Sequence, residues 1–151
     1  MEQELYQEAL QITDSAIQAV KPDAAVKRAL SEMPHSGRIF LVAAGKAAWQ
    51  MADAAVKTLG QMEDGVVVTK YGHVKAEIPG VRCYEAGHPV PDANSFAATE
   101  KALELVHGLH PEDTVLFLLS GGGSALFEKP LISGEELQEI TAQLLASGAD
   151  I

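Results

Sequence analysis

The chain has 151 residues, of which 47% are hydrophobic and 21% charged, and a formal net charge of −10. That length suits a single globular domain, and the 11 Lys and Arg are scattered rather than gathered into a stripe, which argues against nucleic acid or an anionic membrane as partner. No apolar run approaches the roughly 20 residues that cross a bilayer, and Met1-Glu-Gln-Glu-Leu-Tyr6 lacks the basic-then-apolar order of a signal peptide, so a cytoplasmic location is expected.

The first 31 residues read as helix: Leu5, Ala9, Ile12, Ala16 and Val20 recur at helical spacing, and Pro22 interrupts the pattern before a second short helix ending near Met33-Pro34. Arg38–Val42 then reads as a buried strand, followed by a helix over Lys46–Leu59 that Gly60 stops. Gly65–Thr69 is another continuous apolar strand. Val81–Glu85 alternates and suits a strand nearer the sheet edge, with Cys83, the single cysteine, half-buried in it and unable to form an internal disulfide. Asp92 can cap a helix running through Leu105 and Val106. Thr114–Leu119 is the third solid apolar strand, and Ser133-Gly-Glu-Glu136 is a capping box ahead of Leu137, Ile140, Leu144 and Leu145.

Solid apolar strands alternating with amphipathic helices imply a mostly parallel sheet covered on both faces, a Rossmann-like three-layer α/β/α fold. The sheet has about four strands, at the small end for this architecture. Ala146–Ile151 closes no element, so the chain reads as a truncated part of something larger.

In open α/β sheets ligands bind beyond the carboxyl ends of the strands. Three stretches fall there. Leu41-Val-Ala-Ala-Gly-Lys-Ala-Ala48 turns a strand into a helix through Gly45 and Lys46, yet it is neither a P-loop nor G-x-G-x-x-G. It reads equally as a tight turn with an exposed lysine. Leu119-Ser-Gly-Gly-Gly-Ser-Ala125 runs an apolar strand into Gly121, Gly122 and Gly123 between Ser120 and Ser124. Glycines with φ > 0 can form a nest of N–H groups around an anion, whereas a hinge would need them only for slack. The strand-end position and the paired serines favour a cradle for phosphate or carboxylate.

In the third stretch, Glu85-Ala-Gly-His-Pro-Val-Pro-Asp92, His88 suits either a donor or acid/base role or a hydrogen bond to a neighbouring loop. The remaining histidines, His35, His73, His107 and His110, lack H-x-x-x-H or H-E-x-x-H spacing, so no metal site made of protein side chains is expected.

Ala44-Gly-Lys-Ala47, Gly87-His-Pro-Val-Pro-Asp92 and Leu119-Ser-Gly-Gly-Gly-Ser-Ala125, in that order, closely resemble the glycerate 2-kinase family of the MOFRL-associated type, whose members have often been labelled hydroxypyruvate reductases. The resemblance runs from the leading helix to Ile151. It implies transfer of the ATP γ-phosphoryl group to the 2-hydroxyl of D-glycerate with Mg²⁺, giving 2-phosphoglycerate. It also implies a catalytic role for Lys46, and a role in holding glycerate or phosphate for Gly45, Ser120, Gly121, Gly122, Gly123 and Ser124, with His88 and Asp92 assigned to the same cleft.

Family members resemble a two-domain protein well over twice this size, so residues 1–151 look like the beginning of the larger amino-terminal domain, with the second domain absent. Such a fragment is expected to turn over little by itself, and a homodimer stays open. Two other functions compete. One is an NAD(P)H-dependent hydroxypyruvate reductase, which the missing G-x-G-x-x-G disfavours; the other is a non-enzymatic module that binds a small anion.

Overall fold

The computed structural model describes residues 2–34, 36–60 and 62–148. His35 and residues 149–151, the latter half of the expected unstructured end, lie outside the described residues. Four parallel strands form one sheet in the order β3-β2-β1-β4, where β1 is Ile39–Ala44, β2 Asp64–Lys70, β3 Arg82–Ala86 and β4 Thr114–Leu119. The two central strands are two of the three continuous apolar runs: β1 is buried at every residue and β2 at all but its ends. A strand with helices on both faces has no wet side, so its sequence does not alternate. Neighbouring strands are in step, with Ala44 beside both Val68 and Leu119.

On one face, helix α2 (Pro22–Ser31) brings Val26 and Leu30, and α3 (Ala48–Leu59) brings Ala48, Ala52 and Ala55, against Leu41, Ala43 and Val67. Pro22 sits in the first turn of α2, where its missing N–H costs nothing. On the other face, α4 (Ala93–Leu105) packs Ala98, Ala102 and Leu105 on Phe40, Val42, Val66 and Val68. Leu126 of the short α5 (Gly123–Leu126) completes that layer. The three-layer expectation therefore holds.

Coverage of the sheet differs from expectation at β4. Its run is solidly apolar, yet Val115, Phe117 and Leu119 are 43, 48 and 60% exposed, because only Leu116 and Leu118 turn toward a packed layer. Phe127, whose ring centroid lies 5.7 Å from that of Phe117, shields this face in part. The amphipathic helices at the two ends are similar. Leu5, Tyr6, Ile12, Ile17 and Val20 of α1 (Glu2–Val20) are exposed, and so are Ile140, Leu144 and Leu145 of α6 (Gly134–Ala146). Periodicity finds a helix with an apolar stripe; it does not reveal what covers the stripe.

Both expected caps form. The Asp92 carboxylate accepts the Ser95 amide at 3.0 Å, and the Ser133 hydroxyl accepts the Glu136 amide at 3.2 Å. The foot of the sheet is clamped by Arg38, whose guanidinium donates to both oxygens of Asp113 at 2.9 and 2.6 Å.

Candidate functional site

All four strands are parallel, so their carboxyl ends share one edge, and the three motifs follow β1, β4 and β3 there. Residues 45–47 form a turn, and α3 starts at Ala48 rather than at Lys46 as expected. The turn exists because Gly45 takes φ +115°, a value that side chains rarely tolerate. A Cβ on Gly45 would also overlap the hydroxyl and carbonyl of Ser120.

The glycine loop is fastened to that turn. The Lys46 amide donates to the Gly121 carbonyl at 2.9 Å, and the Ala47 amide to the Ser120 hydroxyl at 3.0 Å. The Ser120 amide in turn donates to the Ala44 carbonyl at 2.9 Å. A slack hinge has no such ties. Gly122 adopts the left-handed conformation at φ +89° and starts α5. Among the described residues, no protein acceptor meets the amides of Gly121, Gly122 and Gly123. Ser124 is exposed in the first turn of α5.

The lysine and the third loop converge on the same glycines. Beta carbons built on Gly121 and Gly122 would lie 3.9 Å from Lys46 Cε and 3.3 Å from Lys46 Cγ. The Gly122 Cβ would also lie 2.8 Å from His88 Nε2. Thus Lys46, Gly121, Gly122 and His88 form one wall. Burial first, then the positive charges of Lys46 and Lys70, hold the His88 imidazole below its ordinary pKa. It is therefore neutral near pH 7, with Nε2 the ring atom that faces the glycine loop.

Asp92 stands behind this wall. One carboxylate oxygen caps α4, and the other accepts the Tyr71 hydroxyl at 2.6 Å. A Cβ on Gly87 would come within 3.0 Å of the Asp92 carboxyl carbon, so the loop carrying His88 lies directly over it. Burial works to raise the Asp92 pKa, but the bonds from Tyr71 and from the Ser95 and Gly87 amides outweigh it and leave the pKa below the ordinary value.

Sequence reasoning missed the loop after β2, Lys70-Tyr-Gly-His73, which lies at the same edge. The Lys46 carbonyl accepts a hydrogen bond from His73 Nδ1 at 2.8 Å, with the buried Thr69 hydroxyl 3.5 Å away. Glu85 accepts the Val74 amide at 2.8 Å. That bond, together with the Gly72 and His73 amides, holds its carboxyl below the ordinary pKa. The available signal was positional: a glycine and a histidine directly after a buried strand. It carried no recognisable spacing. Among the described residues, no three metal-ligating side chains gather anywhere.

A family model described as a domain of unknown function, DUF4147, matches residues 8–151. The chain is 55% identical, over 95% of its length, to a D-glycerate 2-kinase of Thermotoga maritima, of which it covers 35%. It is 41% identical, over 94% of its length, to a glycerate 2-kinase of Pyrococcus horikoshii, again covering 35%. A crystal structure of glycerate kinase from Thermotoga maritima superposes with a TM-score of 0.87 at 53% identity, covering 98% of this chain and 36% of that one. Other relatives carry hydroxypyruvate reductase names. The chain thus spans about a third of the length of the relatives it matches.

Proposed function

We propose a function from one premise: the chain belongs to the DUF4147 family. In our reading it is the amino-terminal portion of a D-glycerate 2-kinase that transfers the γ-phosphoryl group of ATP to the 2-hydroxyl of D-glycerate. The observation that carries this reading is the direct fastening of the Lys46 turn to the glycine loop, 2.9 Å from the Lys46 amide to the Gly121 carbonyl. Phosphoryl transfer consists mainly of placing two reactants in line and neutralising charge on the equatorial oxygens, and the paired turns suit both tasks.

Lys46 neutralises charge. An ammonium about 4 Å from a phosphate oxygen gains roughly 4 kcal/mol at an effective dielectric of 20. The unpartnered amides of Gly121, Gly122 and Gly123 fix where the phosphate lies, and the His88 ring closes that side of the wall. Asp92 acts from behind by holding the His88 loop. Gly45 and Ser120 keep the two turns at contact distance.

The described residues do not supply a Mg²⁺ cage: no group of three candidate ligands exists, and the Asp92 carboxylate is already bonded to Tyr71 and Ser95. The reading is tested by incubating the full-length protein with ATP and D-glycerate and measuring glycerate-dependent ADP formation. Phosphate transfer to the 2-hydroxyl is the expected result. NAD(P)H consumption with hydroxypyruvate, with no ADP formed, would replace it by the reductase.

A further inference from the structure

A hollow adjoins Lys46, and no residue of the glycine loop lines it. It holds about 310 Å³ and is lined by Lys46, Ala47, Trp49, Gln50, Gly72, His73 and Lys75. That is near the bottom of the roughly 300–1,000 Å³ range of ligand pockets, which suits a small acid better than a whole nucleotide. In a chain of net charge −10, two lysines and a histidine around one hollow are a local reversal of sign.

The walls are braced. The Trp49 ring N–H donates to the Ala76 carbonyl at 2.9 Å, and Lys75 Nζ lies 5.6 Å from the centroid of the Trp49 ring. Asp23, an acid close to the hollow, is bonded to the Gln50 side chain at 2.5 Å. Glu85 is bonded to the Val74 amide.

His73 has a defined polarity. Its Nδ1 faces the Lys46 carbonyl at 2.8 Å, and a carbonyl only accepts, so Nδ1 carries a proton. In the neutral ring Nε2 is then an acceptor. An acceptor beside an ammonium is the complement of a molecule that carries a hydroxyl next to a carboxylate.

We propose that this hollow is the binding site of a small 2-hydroxycarboxylate, with Lys75 pairing the carboxylate and His73 Nε2 accepting from the 2-hydroxyl. That the acid is D-glycerate rests on the kinase reading above. The arrangement puts the acid beside Lys46 and leaves the glycine loop, which does not line the hollow, for phosphate.

Trp49, the only tryptophan of the chain, reports on this hollow directly. The test titrates the chain with sodium D-glycerate, following Trp49 emission against sodium chloride of equal ionic strength. The expected result is a saturable change whose half-saturating concentration rises about tenfold in Lys75→Gln and returns toward the original in Lys75→Arg. The variant His73→Asn keeps an amide donor for the Lys46 carbonyl but lacks Nε2. It should lose the preference of the parent chain for D-glycerate over 3-hydroxypropionate, with far-UV circular dichroism unchanged.

No saturable change, or an unaltered half-saturation in Lys75→Gln, overturns the proposal even if the full-length protein phosphorylates glycerate. Conversely, Lys75-dependent binding without any phosphate transfer by the full-length protein would leave the hydroxy-acid site standing and remove the kinase reading.

Discussion

Gly45 and Ser120 meet at the carboxyl ends of neighbouring parallel strands, so closely that a Cβ on Gly45 would lie 2.8 Å from the Ser120 carbonyl carbon. The contact exists because Ala44 and Leu119 are paired in register, which brings the residues that follow them together. What sequence separates by 75 positions, the sheet places in one wall, and Lys46 and Gly121 inherit their geometry from it.

Gly45→Ala should therefore be among the most disruptive single substitutions at this edge. A non-glycine residue at φ +115° costs about 1–3 kcal/mol, and the overlap with Ser120 adds to it. Urea unfolding is expected to show a stability loss of about 2 kcal/mol or more. A loss below about 0.5 kcal/mol would mean that the two turns move apart easily.

The Arg38–Asp113 pair predicts the acid limb of stability. Arg38 above all, helped by the His110 amide at 2.8 Å, pulls the Asp113 carboxyl from 3.8 down to about 2. A carboxyl whose folded pKa is depressed binds its proton more readily in the unfolded chain. Its contribution is thus present above about pH 4 and is lost as pH falls through about 2. Asp113→Asn should flatten the pH dependence of unfolding in that window. An unchanged acid limb would assign the dependence to other carboxyls.

The open face of β4 predicts behaviour in solution. Val115, Phe117 and Leu119 form an exposed apolar row on an edge strand, a setting that favours association between chains. Sedimentation of the 151-residue chain should show concentration-dependent association that Phe117→Glu reduces. A chain that stays monomeric at high concentration without the substitution would show that the row is not adhesive.

Much of the fold was legible because its signals are local. The runs Gly65–Thr69 and Thr114–Leu119 and the caps at Asp92 and Ser133 announce themselves within a few residues. The edge position of the Val81–Glu85 stretch followed from its alternation. Exposure was not legible: Phe117 and Leu118 are equally apolar, and only the missing layer beside β4 separates them. At the site, glycines and a lysine at strand ends were visible as chemistry, whereas His73, Thr69 and Tyr71 were not. Their relevance comes from bonds to Lys46 and Asp92 across 21 to 27 positions of sequence. No local pattern encodes contacts of that kind.

The central claim is that the lysine of the β1 turn and the glycine loop after β4 act as one phosphate-handling site, and Lys46→Ala in the full-length protein tests it most directly. At roughly 4 kcal/mol of lost charge stabilisation, ATP-dependent phosphate transfer to D-glycerate should fall about a thousandfold with circular dichroism unchanged. Turnover within about threefold of the parent protein, in a variant that folds normally, would contradict the account and leave the Lys46 turn a merely structural bend.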